Sequence, residues 1–130
     1  MNTKLLMIVS SILLGLAGTI GLFAPQEVLA ALHMPVAQPL PLVIQLLGAF
    51  YCSFALTNWI AKESTIGGIY ARPTSLGNFA HFTVGTLALA KYQIADEASP
   101  LLLVVLSVYA IFAILFGWLV FVHSGTASKQ

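Results

Sequence analysis

One uncharged stretch near the C-terminus constrains this chain more than any other feature. Between Pro100 and about Val122 the sequence reads LLLVVLSVYAIFAILFGWLVFV and contains no charged residue. A helix needs about 20 apolar residues to cross the roughly 30 Å hydrocarbon core of a bilayer. The stretch therefore predicts a membrane span over about residues 100–122.

The composition agrees with a membrane location and excludes several classes of function. Charged residues make up 7% of the 130 residues and hydrophobic residues 59%, whereas about a quarter of a typical soluble chain is charged. This length fits a single membrane domain over residues 1–130. The net charge of +1, with no Lys/Arg cluster, predicts no nucleic-acid partner. Cys52 is the only cysteine, which excludes a disulfide framework.

Three further apolar stretches predict spans over about residues 4–25, 40–61 and 75–94. The first follows Lys4, and Val28-Leu29-Ala30 resembles a signal-peptide cleavage site. The run is longer than the roughly 7–15 apolar residues of a signal peptide, so we expect a retained helix. The third span carries Lys91 near its far end, where a long side chain can extend to the interface.

The cations predict the orientation of the four spans. One side of the membrane would hold Lys4, Lys62, Arg72 and Lys129, and the other only Lys91 beside Glu27, Asp96 and Glu97. Because Lys and Arg are concentrated in cytoplasmic loops, both termini and the 62–75 loop are predicted to be cytoplasmic. Between spans one and two, PQEVLAALHM is too short to cross and predicts a helix along the outer surface, ended before Pro35. The expected fold is an all-α integral membrane four-helix bundle with this short interfacial helix.

Polar residues inside the spans indicate where helices meet, since polar side chains facing lipid are costly. Asn78 and His81 share a face of span three with Gly85. Tyr51 and Asn58 share a face of span two, and Trp59 lies on its flank. At 1.5 Å per residue, Asn58 and Asn78 fall at similar depths. We expect these two faces to meet at the cytoplasmic end.

Two interpretations of this cluster stay open. Buried Asn and His side chains often hold membrane helices together by hydrogen bonds. Alternatively, they line a pocket for a small amphipathic ligand, a quinone or a lipid, in which polar groups hold the head and two aromatic rings line an apolar entry. The candidate ligand-binding residues are Tyr51, Asn58, Trp59, Tyr70, Arg72, Asn78, His81 and Phe82.

Arg72 has its own alternatives. Pro73 biases it away from helical geometry, which predicts a loop position just before span three. A cytoplasmic arginine beside a span acts as a topology determinant or contacts lipid headgroups. Its planar guanidinium also suits a specific anionic or carboxylate partner.

The sequence offers little for catalysis or metal binding. Its four acids, Glu27, Glu63, Asp96 and Glu97, all lie in predicted loops. No nucleophile, base and orienting group occur at useful spacing, so we expect no enzymatic activity. His81 and His123 suggest a haem pair, but His123 lies at the very end of span four. We therefore predict no metal and no resident cofactor.

Two other helix faces predict packing. Ser11, Gly15 and Gly18 share a face of span one, the small-residue pattern that lets membrane helices approach closely. On span four, aromatic residues are expected to act as packing and interface anchors. They are Tyr109, Phe112, Phe116 and Trp118.

Three segments carry a resemblance to a known family. They are GLFAPQEVLAALHM, LLGAFYCSFALTNWIA and RPTSLGNFAHFTVG. Together they resemble the small DoxX-like membrane proteins of bacteria, which implies a compact four-helix bundle in the bacterial inner membrane. Some members of that family are associated, as a membrane subunit, with a quinone-linked thiosulfate-oxidising enzyme. The resemblance implies no catalytic residue in this chain.

The sequence therefore favours a non-catalytic accessory or structural subunit of a larger membrane complex. Its expected partners are membrane lipids and other membrane subunits or further copies of itself. The alternative is the quinone or lipid binder described above. An oligomeric pore ranks third, because no span carries an acid that could line a conduction path.

Overall fold

A computed structural model of the protein describes residues 2–63, 71–95 and 100–121. Within these ranges the chain is all-helical, which confirms the predicted class. The helices are α1 (Thr3–Phe23), α2 (Pro25–Ala31), α3 (Leu40–Ala61), α4 (Ala71–Ala95) and α5 (Pro100–Phe121). The chain forms two compact units, Met1–Glu63 and Ser64–Gln130. Each is described by itself below, and the single-domain interpretation stays a prediction.

Three of the described helices are long and apolar enough to cross a membrane: α1, α3 and α5. They correspond to predicted spans one, two and four, and α3 begins and ends where its span was predicted. The length and apolar composition of these helices are compatible with an integral membrane protein. A short helix, α2, also forms between α1 and α3, in the segment predicted to be helical.

The first unit, which we name hairpin one, contains α1, α2 and α3. Asn2 caps α1 by accepting a hydrogen bond from the Leu5 N–H at 3.2 Å. The helices α2 and α3 carry prolines in their first turns, Pro25 and Pro41, where the missing N–H has no helical partner to lose. Contacts between α1 and α3 run antiparallel, from the Lys4–Glu63 ion pair at one end to Gly21 against Gly48 towards the other.

The short helix α2 ends in a Schellman motif. The Met34 N–H donates to the Leu29 carbonyl at 2.9 Å and the His33 N–H to the Ala30 carbonyl at 3.0 Å. His33 occupies the left-handed position of the motif, with φ of 56°. Leu29 is fully buried, whereas Gln26 and Glu27 are exposed. The helix therefore has one buried and one polar side.

The second unit, which we name hairpin two, contains α4 and α5. These helices are also antiparallel: Phe79 contacts Phe121 near one end, and Phe82 contacts Phe116 further along. The loop position predicted for Arg72 is wrong, because α4 begins at Ala71 and Arg72 lies in its first turn. Pro73 does not prevent this, since first-turn N–H groups have no partner within the helix.

Candidate functional site

The polar residues of hairpin one join α1 to α3. The Ser11 hydroxyl donates to the Ala55 carbonyl at 2.6 Å. One position earlier, the Ser10 hydroxyl donates to the Met7 carbonyl and accepts a hydrogen bond at 3.0 Å from the Asn58 side-chain amide. Ser10 and Asn58 are fully buried. These contacts favour the interpretation of Asn58 as a helix-joining residue.

Next to this polar patch the two backbones approach closely. A Cβ atom on Gly48 would lie 2.7 Å from the Gly18 carbonyl oxygen and 2.8 Å from the Leu22 nitrogen. A Cβ on Gly18 would lie 2.7 Å from both the Gly48 carbonyl oxygen and the Cys52 sulfur. Neither position has room for a side chain. The face of α1 predicted for packing is therefore confirmed, and it meets the glycine of α3.

Three of the four charged residues of hairpin one, Lys4, Lys62 and Glu63, lie at one end, and Glu27 on α2 lies towards the other. The Lys4 ammonium lies 3.1 Å from a Glu63 carboxylate oxygen, and both side chains are more than half exposed. The Lys62 ammonium lies over the Trp59 indole, 3.0 Å from the ring centre. Such cation–π contacts are stabilised by the negative face of the ring.

Hairpin two is held together by aromatic rings. Phe82 is fully buried and stacks on Phe112, with ring centres 4.9 Å apart, and on Phe116, at 5.8 Å. Tyr109 packs edge-on against Phe82 at 5.2 Å. Phe112 and Phe116 are buried as well. The predicted packing of aromatic residues on α5 is confirmed for Tyr109, Phe112 and Phe116, whereas Trp118 is 56% exposed.

His81 and Tyr109 form the polar part of this aromatic cluster. The Tyr109 hydroxyl lies 3.4 Å from His81 Nε2, a long contact for a hydrogen bond, and both side chains are half-buried. A Cβ atom on Gly85 would lie 2.6 Å from a ring carbon of Tyr109, so the absence of a side chain at Gly85 lets the tyrosine ring lie against α4. The α4 face predicted from His81 and Gly85 thus contacts α5.

The structure describes every predicted site residue except Tyr70, which lies outside the described residues. On hairpin one, Asn58 is fully buried, Tyr51 half-buried and Trp59 about half exposed. On hairpin two, Asn78 and Phe82 are fully buried, His81 is half-buried and Arg72 is exposed.

Within hairpin two, the structure brings predicted site residues close together. His81 and Phe82 have ring centres 5.1 Å apart, and Asn78 donates to the Thr74 carbonyl of its own helix at 2.8 Å. The pocket predicted between spans two and three combines residues of both hairpins, and it stays a prediction.

Sequence reasoning missed two residues of interest. Ser10 was not assigned to a face, because Ser11, Gly15 and Gly18 already accounted for the small-residue pattern. Its signal was the Ser10-Ser11 pair itself, since two adjacent serines in an apolar helix both need partners. Lys62 was interpreted only as a topology signal. The aromatic ring three positions earlier, Trp59, was the sign that its ammonium could be held in place.

No group of three or more His, Cys, Asp or Glu side chains that could hold a metal ion occurs among the residues that the structure describes. His123, the second histidine of the considered haem pair, lies outside them. Cys52 is half-buried on α3 beside Gly18. Comparison of the chain with protein-family models, with curated proteins and with solved structures finds no match. The resemblance to DoxX-like proteins therefore stays a prediction.

Proposed function

We propose that this chain is a small non-catalytic integral membrane protein that crosses the bilayer four times and serves as an accessory subunit of a larger membrane complex. The observation that carries this proposal is the distribution of polar and apolar side chains over the helices. Most hydroxyl and amide side chains between the helix ends donate to a neighbouring helix or to the helix's own backbone, and the outward surfaces there are mainly apolar. Such surfaces contact lipid or other membrane helices.

The exposed hydroxyl groups support an outward surface in lipid. Each exposed serine or threonine in the described helices donates to the carbonyl four residues earlier, at 2.8–3.0 Å. These residues are Thr19 (2.8 Å), Ser53 (3.0 Å), Thr57 (2.8 Å) and Ser107 (2.8 Å). In a bilayer core without water, a hydroxyl must find its partner within the protein.

The helix α4 supports a fourth crossing, although its composition is the least apolar. Its exposed side carries Leu76, Val84 and Leu87, each more than half exposed. The polar side chains between its two cations are all buried or half-buried: Thr74, Ser75, Asn78, His81, Thr83 and Thr86. This is the reverse of a water-soluble amphipathic helix, which exposes its polar side.

The two exposed cations of α4 support the same assignment. Arg72 and Lys91 are about 28 Å apart along the axis at 1.5 Å per residue, close to the roughly 30 Å of the hydrocarbon core. Both are exposed. We place Arg72 at the cytoplasmic face and Lys91 at the outer face of a bacterial inner membrane, with both termini cytoplasmic.

Cysteine labelling tests the fourth crossing. In a Cys52→Ser background, single cysteines at Arg72 and Ile94 mark the two ends of α4, and both positions are exposed. We expect a membrane-impermeant maleimide to label Ile94→Cys in intact spheroplasts and Arg72→Cys only after the membrane is permeabilised. Labelling of both positions from one side would show that α4 does not cross. A cysteine at Asn2, expected to behave like Arg72→Cys, serves as the control for sidedness.

The accessory role is supported by how little of the outward surface is covered. Only 17% of the residues in the spans of α3 and α5 are buried, against 39% in α1. The outward face of α3 includes Leu46, Phe50 and Ile60, each more than 60% exposed. A complex could cover such a face without any change in the polar contacts within the hairpins.

Quantitative co-purification tests the accessory role. The tagged full-length protein is extracted from its native host in a mild detergent, and the molar ratio of each co-eluting chain is measured by mass spectrometry. We expect membrane proteins at a fixed ratio, and we expect Leu46→Ala with Phe50→Ala to lower that ratio. The matched control is Ile111→Ala with Ile114→Ala on the exposed side of α5. Recovery of the protein without any partner at a fixed ratio contradicts the role.

A second candidate function is the binding of a small amphipathic ligand, a quinone or a lipid. The observation that favours it is the half-buried His81 and Tyr109 pair beside the apolar rings of hairpin two. Mass spectrometry of small molecules extracted from the purified protein tests this function. We expect one bound species that is lost in His81→Leu and retained in Phe50→Leu; equal retention in both variants contradicts the proposed site.

A further inference from the structure

One cation at the charged end of hairpin one, Lys62, has no carboxylate partner among the residues that the structure describes. Lys4 pairs with Glu63, so these two charges compensate one another. Lys62 makes no ion pair with any residue in the described part of the chain. Its ammonium is instead held over the Trp59 ring. The Lys62 ammonium, which lies over the ring, is available to an anion on the side away from the ring.

This ammonium lies where the apolar outward surface of α3 ends. Leu56 and Ile60, which flank Trp59 on the same helix, are 61% and 66% exposed. Trp59 itself is 47% exposed. Tryptophan and lysine together are typical of the level at which the acyl chains meet the lipid headgroups. An anion bound here would have apolar chains beside it.

We propose that Trp59 and Lys62 form a binding surface for the phosphate of an anionic phospholipid. The Trp59 ring holds the ammonium of Lys62, which binds a phosphate oxygen as a point charge. The acyl chains of the same lipid lie along Leu56 and Ile60. Because the cation lies directly at the end of this apolar surface, one molecule with an anionic head and apolar chains fits both, and that molecule is a lipid. The inference rests on the proposed membrane crossing of α3.

Fluorescence quenching tests the lipid preference. In the Trp118→Phe protein, Trp59 is the only tryptophan. The protein is reconstituted in nanodiscs of phosphatidylcholine and phosphatidylglycerol in equal parts, with one lipid or the other carrying brominated acyl chains. Because a lysine near the surface enriches anionic lipid roughly fivefold, we expect brominated phosphatidylglycerol to quench Trp59 more strongly than brominated phosphatidylcholine.

Two variants assign the preference to Lys62. We expect Lys62→Gln to abolish the difference between the two brominated lipids. The matched control is Lys91→Gln, which removes the same charge from α4, and it should retain the difference. Equal quenching by both lipids in the Trp118→Phe protein overturns the inference. Loss of the difference in Lys91→Gln as well as in Lys62→Gln also overturns it, because the preference would then follow net charge alone.

The same experiment separates this inference from the proposed function. If neither brominated lipid quenches Trp59, the indole does not lie in the bilayer, and the proposed crossing of α3 fails together with the lipid-binding surface. If both lipids quench Trp59 to the same extent, the crossing of α3 stands and only the phosphate-binding surface is overturned.

Discussion

The two hairpins hold their helices together in opposite ways. In hairpin one, α1 and α3 meet through residues with little or no side chain, and the backbones at Gly18 and Gly48 leave no room for a Cβ atom. In hairpin two, α4 and α5 meet through large rings centred on Phe82. Hairpin one should therefore be sensitive to added atoms, and hairpin two to removed atoms.

This contrast follows from the solvent. Apolar helices gain little from leaving lipid, because lipid tails are as apolar as leucine side chains. They associate through close van der Waals contact and interhelical hydrogen bonds. Small residues achieve contact by bringing backbones together, and they expose carbonyls such as that of Ala55 to a serine on the other helix. Stacked rings achieve close contact by filling the wider space between two helices whose backbones lie further apart.

The largest effect is expected from adding one methyl group to hairpin one. In Gly48→Ala the new Cβ would meet the Gly18 carbonyl oxygen at 2.7 Å and the Leu22 nitrogen at 2.8 Å, both of them backbone atoms. Since overpacking costs typically 1–3 kcal/mol and the neighbours here are rigid, we expect a loss of about 3 kcal/mol. The measurement is the free energy of unfolding in mixed detergent micelles, in which unfolding is monitored by energy transfer between labels on α1 and α3.

Two other glycines control this prediction. A Cβ on Gly15 would lie 3.6 Å from the Ala55 Cβ, an ordinary contact, so Gly15→Ala should be nearly neutral. In hairpin two, a Cβ on Gly117 would lie 3.0 Å from the Phe79 ring, a side chain that can shift, so Gly117→Ala should cost less than Gly48→Ala. Equal losses at Gly48 and Gly15 would contradict the close backbone contact.

The next largest effect is expected from removing a ring from hairpin two. Phe82→Ala leaves a cavity between Phe112 and Phe116. Phe→Ala costs about 3–5 kcal/mol in water-soluble cores, and we expect about 2 kcal/mol here because transfer from lipid contributes less than transfer from water. Energy transfer between labels on α4 and α5 measures the loss.

An exposed phenylalanine provides the control for Phe82. Phe50 is 63% exposed on α3, so Phe50→Ala removes the same ring without opening a cavity. It should change the free energy of unfolding little. A loss at Phe50 as large as that at Phe82 would mean that ring removal acts through something other than the packing of hairpin two.

Hydrophobicity and charge predicted the helices well, because a helix that crosses a bilayer needs a long apolar stretch. The boundaries of α3 agree with the prediction. The start of α4 does not, because the prediction treated Pro73 as a helix breaker. A proline in the first turn loses no hydrogen bond, so the helix extends back to Ala71.

Helix faces could be predicted, but not what each face contacts. The periodicity of Ser11, Gly15 and Gly18 identified a packing face, and the structure confirms it. Asn58 was predicted to lie on a face that meets span three; its side chain donates to Ser10 of α1, a partner that periodicity did not predict, and the meeting with span three stays a prediction. Periodicity reports which side of a helix is buried, whereas the identity of the neighbour depends on the connection between helices and on side-chain shape.

A smaller effect is expected from removing one interhelical hydrogen bond of hairpin one. Ser11→Ala deletes the 2.6 Å hydrogen bond to the Ala55 carbonyl. Interhelical hydrogen bonds in membranes contribute about 1 kcal/mol, so we expect a loss of that size in the same unfolding measurement. The control is Thr19→Ala, because the exposed Thr19 hydroxyl donates only to the Gly15 carbonyl of its own helix. If both variants lose the same stability, the interhelical bond has no special role.

The smallest effect is a gain in stability. Adding atoms to hairpin one should destabilise it, whereas removing the side chain of His33 should raise its free energy of unfolding. His33 is held at φ of 56° at the end of α2, in the position that Schellman motifs usually give to glycine. The left-handed conformation costs a residue with a Cβ roughly 1–2 kcal/mol. Glycine avoids that cost but loses more chain entropy on folding, by roughly 0.5–1 kcal/mol.

We therefore expect His33→Gly to raise the free energy of unfolding by roughly 0.5 kcal/mol, the difference between these two terms. His33→Ala is the matched control, because it removes the imidazole and keeps the Cβ in the same backbone conformation. It should give no gain. If His33→Ala stabilises the protein as much as His33→Gly, the imidazole rather than the backbone is the source of the cost, and the exposed side chain of His33 is unfavourable where it lies.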